Sequence, residues 1–359
     1  MTMFCKAPFM SLAVFSDGCS VCCQLPFIDK TYDFNSYNFK KLRSEMYLGK
    51  KKKDLDLYRC MNCPIAHSFE DFVSLNDSYF SNLINLDEDN NIKDGKITCI
   101  HLTLGNICNS ACKTCSKYNS NMYSKLYENN LEINKILDYR KIIIENKDSL
   151  SLVAVIGGET FMYKDDLEFL YENLNPNTNV TIYTNGTIYD EELLKRFAKK
   201  FILNIQVSID GYGLKNDYIR SGTHFNVIKE NVKSIHQISQ RTCIVFTVSL
   251  LNCFELYDEI KKLVDEFNIC IIINVVIYPE HYSVRCLSKE LKNKVLTEIK
   301  KIETSFPEGV TNMIALYSAL ESSSEKSFEE NLEILLKDLK KKDLVFNFDT
   351  NFYLSPFLK

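Results

Sequence analysis

The stretch ITCIHLTLGNICNSACKTC, residues 97–115, runs from an apolar, β-branched segment straight into a group of cysteines. Ile97–Leu104 has the length and composition of a buried strand, and Gly105-Asn106 marks where it stops. The same grammar repeats downstream. Further strands are predicted over Ser151–Ile156, Asn179–Tyr183, Ile202–Ile209, Cys243–Leu250 and Cys270–Tyr278. Helical spacing falls between them, over Asn129–Asn146, Lys164–Asn173, Glu191–Lys200, Val227–Gln237 and Phe254–Phe267. Strands each followed by a helix predict a parallel sheet with right-handed crossovers. Six such units are too few for a closed eight-stranded barrel, so the expected fold is α/β, a partial (β/α)6 TIM-like barrel.

In parallel α/β folds the reactive groups gather where strands end, at the carboxyl edge. The unusual residues fall there. The second strand ends in Gly157-Gly158-Glu159-Thr160, the third in Thr184-Asn185-Gly186 and the fourth in Ser208-Ile209-Asp210-Gly211. Any one of these alone is ordinary turn chemistry. Together with the cysteine loop they read as one site assembled from four consecutive strand ends.

Residues 96–285 therefore form the barrel. Residues 1–95 read as a small cysteine-rich N-terminal domain, with a hairpin-like run around Asp17-Gly18 and a Cys60-Met61-Asn62-Cys63 close. Residues 286–359 read as a mostly helical C-terminal extension. Its Leu287–Thr304 and Ser327–Lys341 are rich in lysine and glutamate, and their charge runs read as solvated faces. His101, on the first strand, reads as a satisfied core residue, and His67, His224, His236 and His281 show no ligand spacing.

Composition excludes several classes. With 45% hydrophobic and 25% charged residues, the 359-residue chain can bury an ordinary core. A net charge of −4 gives no electrostatic case for nucleic acid, and the Lys50–Lys53 run reads as a solvated turn. The longest apolar run, Cys270–Tyr278, is far too short for a membrane span. MTMFCKAPFM carries no basic segment ahead of a long apolar run, so no signal peptide and a cytoplasmic location are expected. The outlier is cysteine, at 14. In a reducing compartment, clustered thiols point to metal rather than disulfides. Cys99, Cys243, Cys253, Cys270 and Cys286 are scattered singly and read as small buried hydrophobes.

Cys108, Cys112 and Cys115 form a CxxxCxxC arrangement. Three thiolates on one loop can hold three irons of a cubane [4Fe-4S] cluster and leave the fourth open to a small molecule. Zinc is the competing reading, but it wants a fourth ligand in paired spacing.

These motifs, in this order, resemble the radical S-adenosylmethionine (SAM) superfamily, in which CxxxCxΦC follows the first strand of a partial (β/α)6 barrel. Thr114 departs from the aromatic residue many members carry there. Gly157-Gly158-Glu159 resembles the family's GGE motif, whose glutamate and backbone receive the methionine ammonium group. Thr184-Asn185-Gly186 resembles the motif that positions the methionine or ribose, and Ser208 with Asp210 the polar pair near the ribose. Arg220 resembles the arginine facing the methionine carboxylate, which a planar guanidinium suits. The resemblance implies reductive cleavage of SAM to a 5′-deoxyadenosyl radical that abstracts hydrogen from a substrate. The electron would come from a donor such as flavodoxin or ferredoxin.

A narrower resemblance covers the N-terminal part. Phe4-Cys5-Lys6-Ala7-Pro8-Phe9, then Asp17-Gly18 and Cys22-Cys23, is similar to members with an N-terminal twitch (SPASM-like) domain. Such domains imply an auxiliary iron–sulfur cluster on Cys5, Cys60, Cys63 and Cys23, with Cys22 as the alternative to Cys23. Cys19 has no place in that set, and a structural zinc is the alternative metal. The resemblance implies a peptide or carrier-linked substrate. Modification of a sugar or small metabolite, and a non-catalytic iron–sulfur scaffold or sensor, are the competing functions.

Overall fold

The structure of the chain is a computed structural model that describes residues 3–5, 11–15, 18–20, 66–68, 97–131, 133 and 139–358. Early in the chain, β1 (Met3–Cys5) pairs antiparallel with β4 (Ala66–Ser68). Between them, β2 (Ser11–Phe15) pairs antiparallel with β3 (Gly18–Ser20), Phe15 opposite Gly18, which is the expected hairpin. β2 also lies parallel to β5 (Cys99–Thr103), so this hairpin continues the main sheet.

From β5 onward strands and helices alternate. After β5 come α1 (Asn121–Tyr127), α2 (Tyr139–Asn146) and β6 (Leu152–Ile156). Next are α3 (Lys164–Asn173), β7 (Asn179–Thr184), α4 (Glu191–Lys200) and β8 (Ile202–Ser208). Then follow α5 (Leu214–Ile219), α6 (Phe225–Ile238), β9 (Arg241–Val248), α7 (Leu256–Phe267) and β10 (Cys270–Val275). The tail holds α8 (Lys289–Ser305), β11 (Val310–Thr311), α9 (Met313–Glu321), α10 (Phe328–Phe346) and α11 (Thr350–Tyr353).

Strands β5 to β10 lie side by side in chain order and all parallel, with β11 added beyond β10. The order never reverses. Right-handed crossovers that always step the same way put every helix on one face, whereas a doubly wound sheet reverses and covers both. This is the partial (β/α)6 barrel the sequence predicts. Side-chain burial follows from it. On β8, Leu203, Ile205 and Val207 are buried, in one core with Leu194 and Phe197 of α4 and Ile228, Val232 and Ile235 of α6. Their alternates Asn204, Gln206 and Ser208 face the other way and are half-buried. On β5 the same alternation sends Ile100 and Leu102 to the helices and Cys99, His101 and Thr103 to the inner wall. On β5 and β8 that inner wall is largely polar, and the carboxyl rim of the sheet carries the site.

Several boundaries shift for local reasons. The helical reading from Asn129 is wrong at its start: Asn129 has φ +53°, a left-handed conformation that breaks a helix, and the described α2 is Tyr139–Asn146. β9 starts at Arg241 and stops at Val248, because Ser249 N turns to Asn252 Oδ1 at 2.8 Å instead of continuing the ladder. α10 opens on a capping box, Ser327 with Glu330, and closes at Asn347 in the left-handed region. Its charge run over Ser327–Lys341 is a solvated face as read, with Glu329, Glu330, Glu333, Lys337, Lys340 and Lys341 exposed, and burial of charge begins only beyond it. Lys342 and Asp343 are buried, at 1% and 3% exposure, because this part of α10 lies against the cysteine loop.

Candidate functional site

Beyond β5 the chain enters the cysteine loop, where backbone groups are tied to several other parts of the chain. Cys108 N donates to Asn121 Oδ1 at 2.9 Å, and Ile107 N to the Tyr163 hydroxyl at 2.6 Å. Ala111 N and Lys113 N donate to the carbonyls of Ser221 and Ile219, each at 2.8 Å. Ser120 Oγ and Tyr127 OH donate to the Ser110 and Ala111 carbonyls at 2.7 and 2.9 Å. The three sulfurs make only weak contacts, Cys115 Sγ donating to the Ser116 carbonyl at 3.6 Å. Cys108 and Cys112 are buried and Cys115 is half-buried, with Ser110 Oγ 3.3 Å from the Cys108 sulfur and 3.7 Å from that of Cys112. Burial pushes the Cys112 thiol up, with the Arg220 guanidinium pulling the other way, and pushes Cys115 up to about 12. A metal would have to displace those protons to form thiolates. Among the described residues no three His, Cys, Asp or Glu side chains close on a single ion. Three thiols on separate irons of a cluster need not converge that tightly.

The second strand end packs directly beneath this loop. Gly158 N donates to the Gly105 carbonyl at 2.9 Å and Glu159 N to that of Ile107 at 2.8 Å. A Cβ on Gly158 would stand 2.3 Å from the Ile107 oxygen, so this glycine answers to the cysteine loop. Gly157 has more room, its nearest neighbour being Tyr163 at 3.1 Å. Glu159 is buried and takes three donors: Phe161 N at 3.1 Å and Thr184 Oγ1 at 2.7 Å on one oxygen, Asn185 N at 2.7 Å on the other. A carboxylate offers about four acceptor directions, so one remains on the second oxygen.

Asn185 ties the third strand end to the cysteine loop. Its Nδ2 donates to Asn109 Oδ1 at 2.8 Å, and Asn109 Nδ2 in turn to Thr187 Oγ1 at 2.8 Å. The fourth end supplies Ser208, half-buried at the rim, and Asp210, buried. Asp210 accepts from Arg220 Nη1 at 2.9 Å and from Thr247 N at 2.8 Å. Arg220, nearly buried, has its Nε buried without a partner among the described residues. A guanidinium held by one carboxylate and still offering a dry N–H suits a second anion.

The structure thus brings Cys108, Cys112, Cys115, Gly157, Gly158, Glu159, Thr184, Asn185, Ser208, Asp210 and Arg220 to one rim, as the sequence groups them. Cys22, Cys23, Cys60 and Cys63 lie outside the described residues, and Cys5 is placed only as the last residue of β1, opposite Ala66. Sequence reasoning missed Asn109, Asn121, Tyr163 and Thr187, which hold the loop. Asn109 sits inside the motif and was legible as a polar spacer. The others lie outside every motif and carried no signal.

The fold and this rim agree with what sequence comparison finds. The radical SAM superfamily model matches residues 102–276 of the chain. Among curated proteins it is similar to the sporulation killing factor maturation protein SkfB of Bacillus subtilis (strain 168), 26% identical over 171 residues, 47% of this chain and 39% of SkfB. Among solved structures, native anSMEcpe with bound AdoMet aligns at a TM-score of 0.45 with 17% identity, over 59% of this chain and 62% of that one. Streptococcus suis SuiB bound to precursor peptide SuiA aligns at 0.45 with 16% identity, over 73% of this chain and 66% of that one. The chain spans less than two thirds of the length of SkfB and of anSMEcpe.

Proposed function

We propose that the chain is a radical SAM enzyme that reductively cleaves S-adenosylmethionine at a [4Fe-4S] cluster and uses the product to modify a peptide. The observation that carries this reading is the nearly buried guanidinium of Arg220, its Nε without a partner among the described residues, beside thiols that make only weak contacts. A relic scaffold has no use for such an arrangement, since a buried N–H without a partner costs about 1–3 kcal/mol.

Cys108, Cys112 and Cys115 would hold the cluster. When bound and reduced, that cluster supplies the electron that splits a carbon–sulfur bond of SAM, giving a 5′-deoxyadenosyl radical that takes hydrogen from the substrate. The protein's own part is placement. Arg220, oriented by Asp210, meets the methionine carboxylate with its free N–H. Glu159 has one acceptor direction left for the ammonium, while its other bonds hold the Thr184 hydroxyl and the Phe161 and Asn185 backbone N–H groups. Gly157 and Gly158 keep that strand end close under the loop, and Ser208 stands at the rim where the ribose would lie. Burial of Cys108, Cys112, Glu159 and Asp210 keeps bulk water away from that part of the site.

A peptide substrate is supported by the name of SkfB, a maturation protein for a killing factor. The auxiliary cluster on Cys5, Cys60, Cys63 and Cys23 or Cys22, and a flavodoxin- or ferredoxin-type donor, belong to the same proposal. So does a cytoplasmic setting, which fits the free cysteines; among the described residues no helix is long and apolar enough to cross a membrane. The test is direct. Reconstituted anaerobically and reduced, the protein should convert SAM to 5′-deoxyadenosine, and the Cys108→Ala, Cys112→Ala, Cys115→Ala triple variant should not. Equal product from the triple variant would sink the reading.

A further inference from the structure

Lys113 sits between Cys112 and Cys115, and none of its side chain reaches solvent. A loop lysine ordinarily keeps its ammonium in water. Here Nζ lies 2.6 Å from Asp343 Oδ1 on α10, 230 residues along the chain. It also stands 4.4 Å from the centre of the Tyr218 ring and 5.0 Å from that of Phe348. The contact is returned at the backbone. Lys342 Nζ donates to the Lys113 carbonyl oxygen at 2.8 Å and pairs with Asp338 at 2.7 Å. Asp343 is further held by the Tyr218 hydroxyl at 3.2 Å and by Thr350 Oγ1. Two successive residues of one helix therefore grip both the side chain and the main chain of Lys113.

Burying ions costs several kcal/mol each, and an apolar residue between the cysteines would avoid it. Stability alone is a poor reason for this pair. Its position supplies a better one, because both grips close on residue 113, inside the turn from Cys112 to Cys115, and Lys342 lies close enough to Cys115 to interact with it electrostatically. Each lysine is paired with an aspartate, so what the two pairs fix is the seating of the turn rather than a net charge; hydrogen bonding and solvent exposure around an iron–sulfur cluster help set its reduction potential.

We propose that Lys113 is a positioning residue for the cluster, and that α10, through Asp343 and Lys342, sets how the cluster is seated and how readily it is reduced. This rests on the reading of Cys108, Cys112 and Cys115 as cluster ligands. Lys113→Met removes the charge and leaves Asp343 uncompensated, so it is paired with a Lys113→Met, Asp343→Met double variant in which no lone charge is buried.

Parent, both variants and Lys113→Arg are reconstituted anaerobically and compared by melting temperature, iron per chain, the EPR signal of the reduced cluster and its midpoint potential. The double variant keeps the net charge but loses the anchor of the turn, so it should melt with the parent, yet show a shifted midpoint potential and a shifted EPR signal. Lys113→Arg, which keeps charge and donors, should return both toward the parent. A double variant with parent-like EPR and potential overturns the proposal. So does a double variant that melts far below the parent, since the pair would then serve the fold at large. If the parent assembles no cluster, the functional reading falls first and this inference with it.

Discussion

A Cβ at residue 158 would stand 2.3 Å from the Ile107 oxygen and 2.6 Å from its carbonyl carbon. Both are backbone atoms of the cysteine loop and cannot rotate away. Gly158→Ala should therefore push the loop off β6 at a cost of about 1–3 kcal/mol. The expected result is a lower melting temperature together with lower iron content after reconstitution, while Gly157→Ala, facing a tyrosine ring at 3.1 Å, should do less. Equal iron in Gly158→Ala and the parent would show that the close approach is not needed for the site. The sequence marked this glycine through a motif, and the motif pointed at the ligand. The structure adds a second reason, contact with the chain itself. Glu159 and Asp210 carry the same lesson. Residue type and place at a strand end were readable, but the donors that fill them come from 161, 184, 185, 220 and 247, a grouping only the folded rim creates.

Elements were most legible where pattern and packing coincide. α3 and α4 match the ranges read from spacing alone, since each has a well-defined apolar stripe and ends where the next strand begins. α1 and α5 went unread, being seven and six residues long, too short to show a period. α6 and α7 are joined at Glu266, which takes Lys229 at 2.7 Å and Lys233 at 2.8 Å, with the Tyr212 hydroxyl at 2.9 Å. The two lysines pull this carboxyl down to about 2. A carboxyl lowered from the ordinary value near 4.3 adds stability that is present above that value and fades as pH falls toward 2. Solvent screens the cluster, so its worth stays within about 1 kcal/mol. Glu266→Gln should thus be slightly less stable than the parent in urea at pH 6, with the gap closing between pH 4 and about 2. A gap that persists undiminished at the acid end would assign the effect to packing.

At the scale of the molecule, β2 and β3 lengthen the barrel sheet, so the early chain is joined to the part that carries the rim. The proposed second cluster can be examined without disturbing that rim. A Cys60→Ala, Cys63→Ala variant should lose about half its iron if both clusters are cubanes, yet still form some 5′-deoxyadenosine. Zinc bound by those cysteines in the parent, or unchanged iron in the variant, would reduce this region to a structural extension. The grip of α10 on the cysteine loop has a consequence in time. Lys113 and Asp343 are separated by 230 residues, and at about 5–20 residues per second the ribosome needs roughly ten to fifty seconds to go from one to the other. During that interval β5 to β10 can already pair, while the lysine has no counter-charge and the turn between its cysteines has no floor. Iron arriving then would meet a half-built cradle, so loading belongs to the finished chain and falls to delivery after translation.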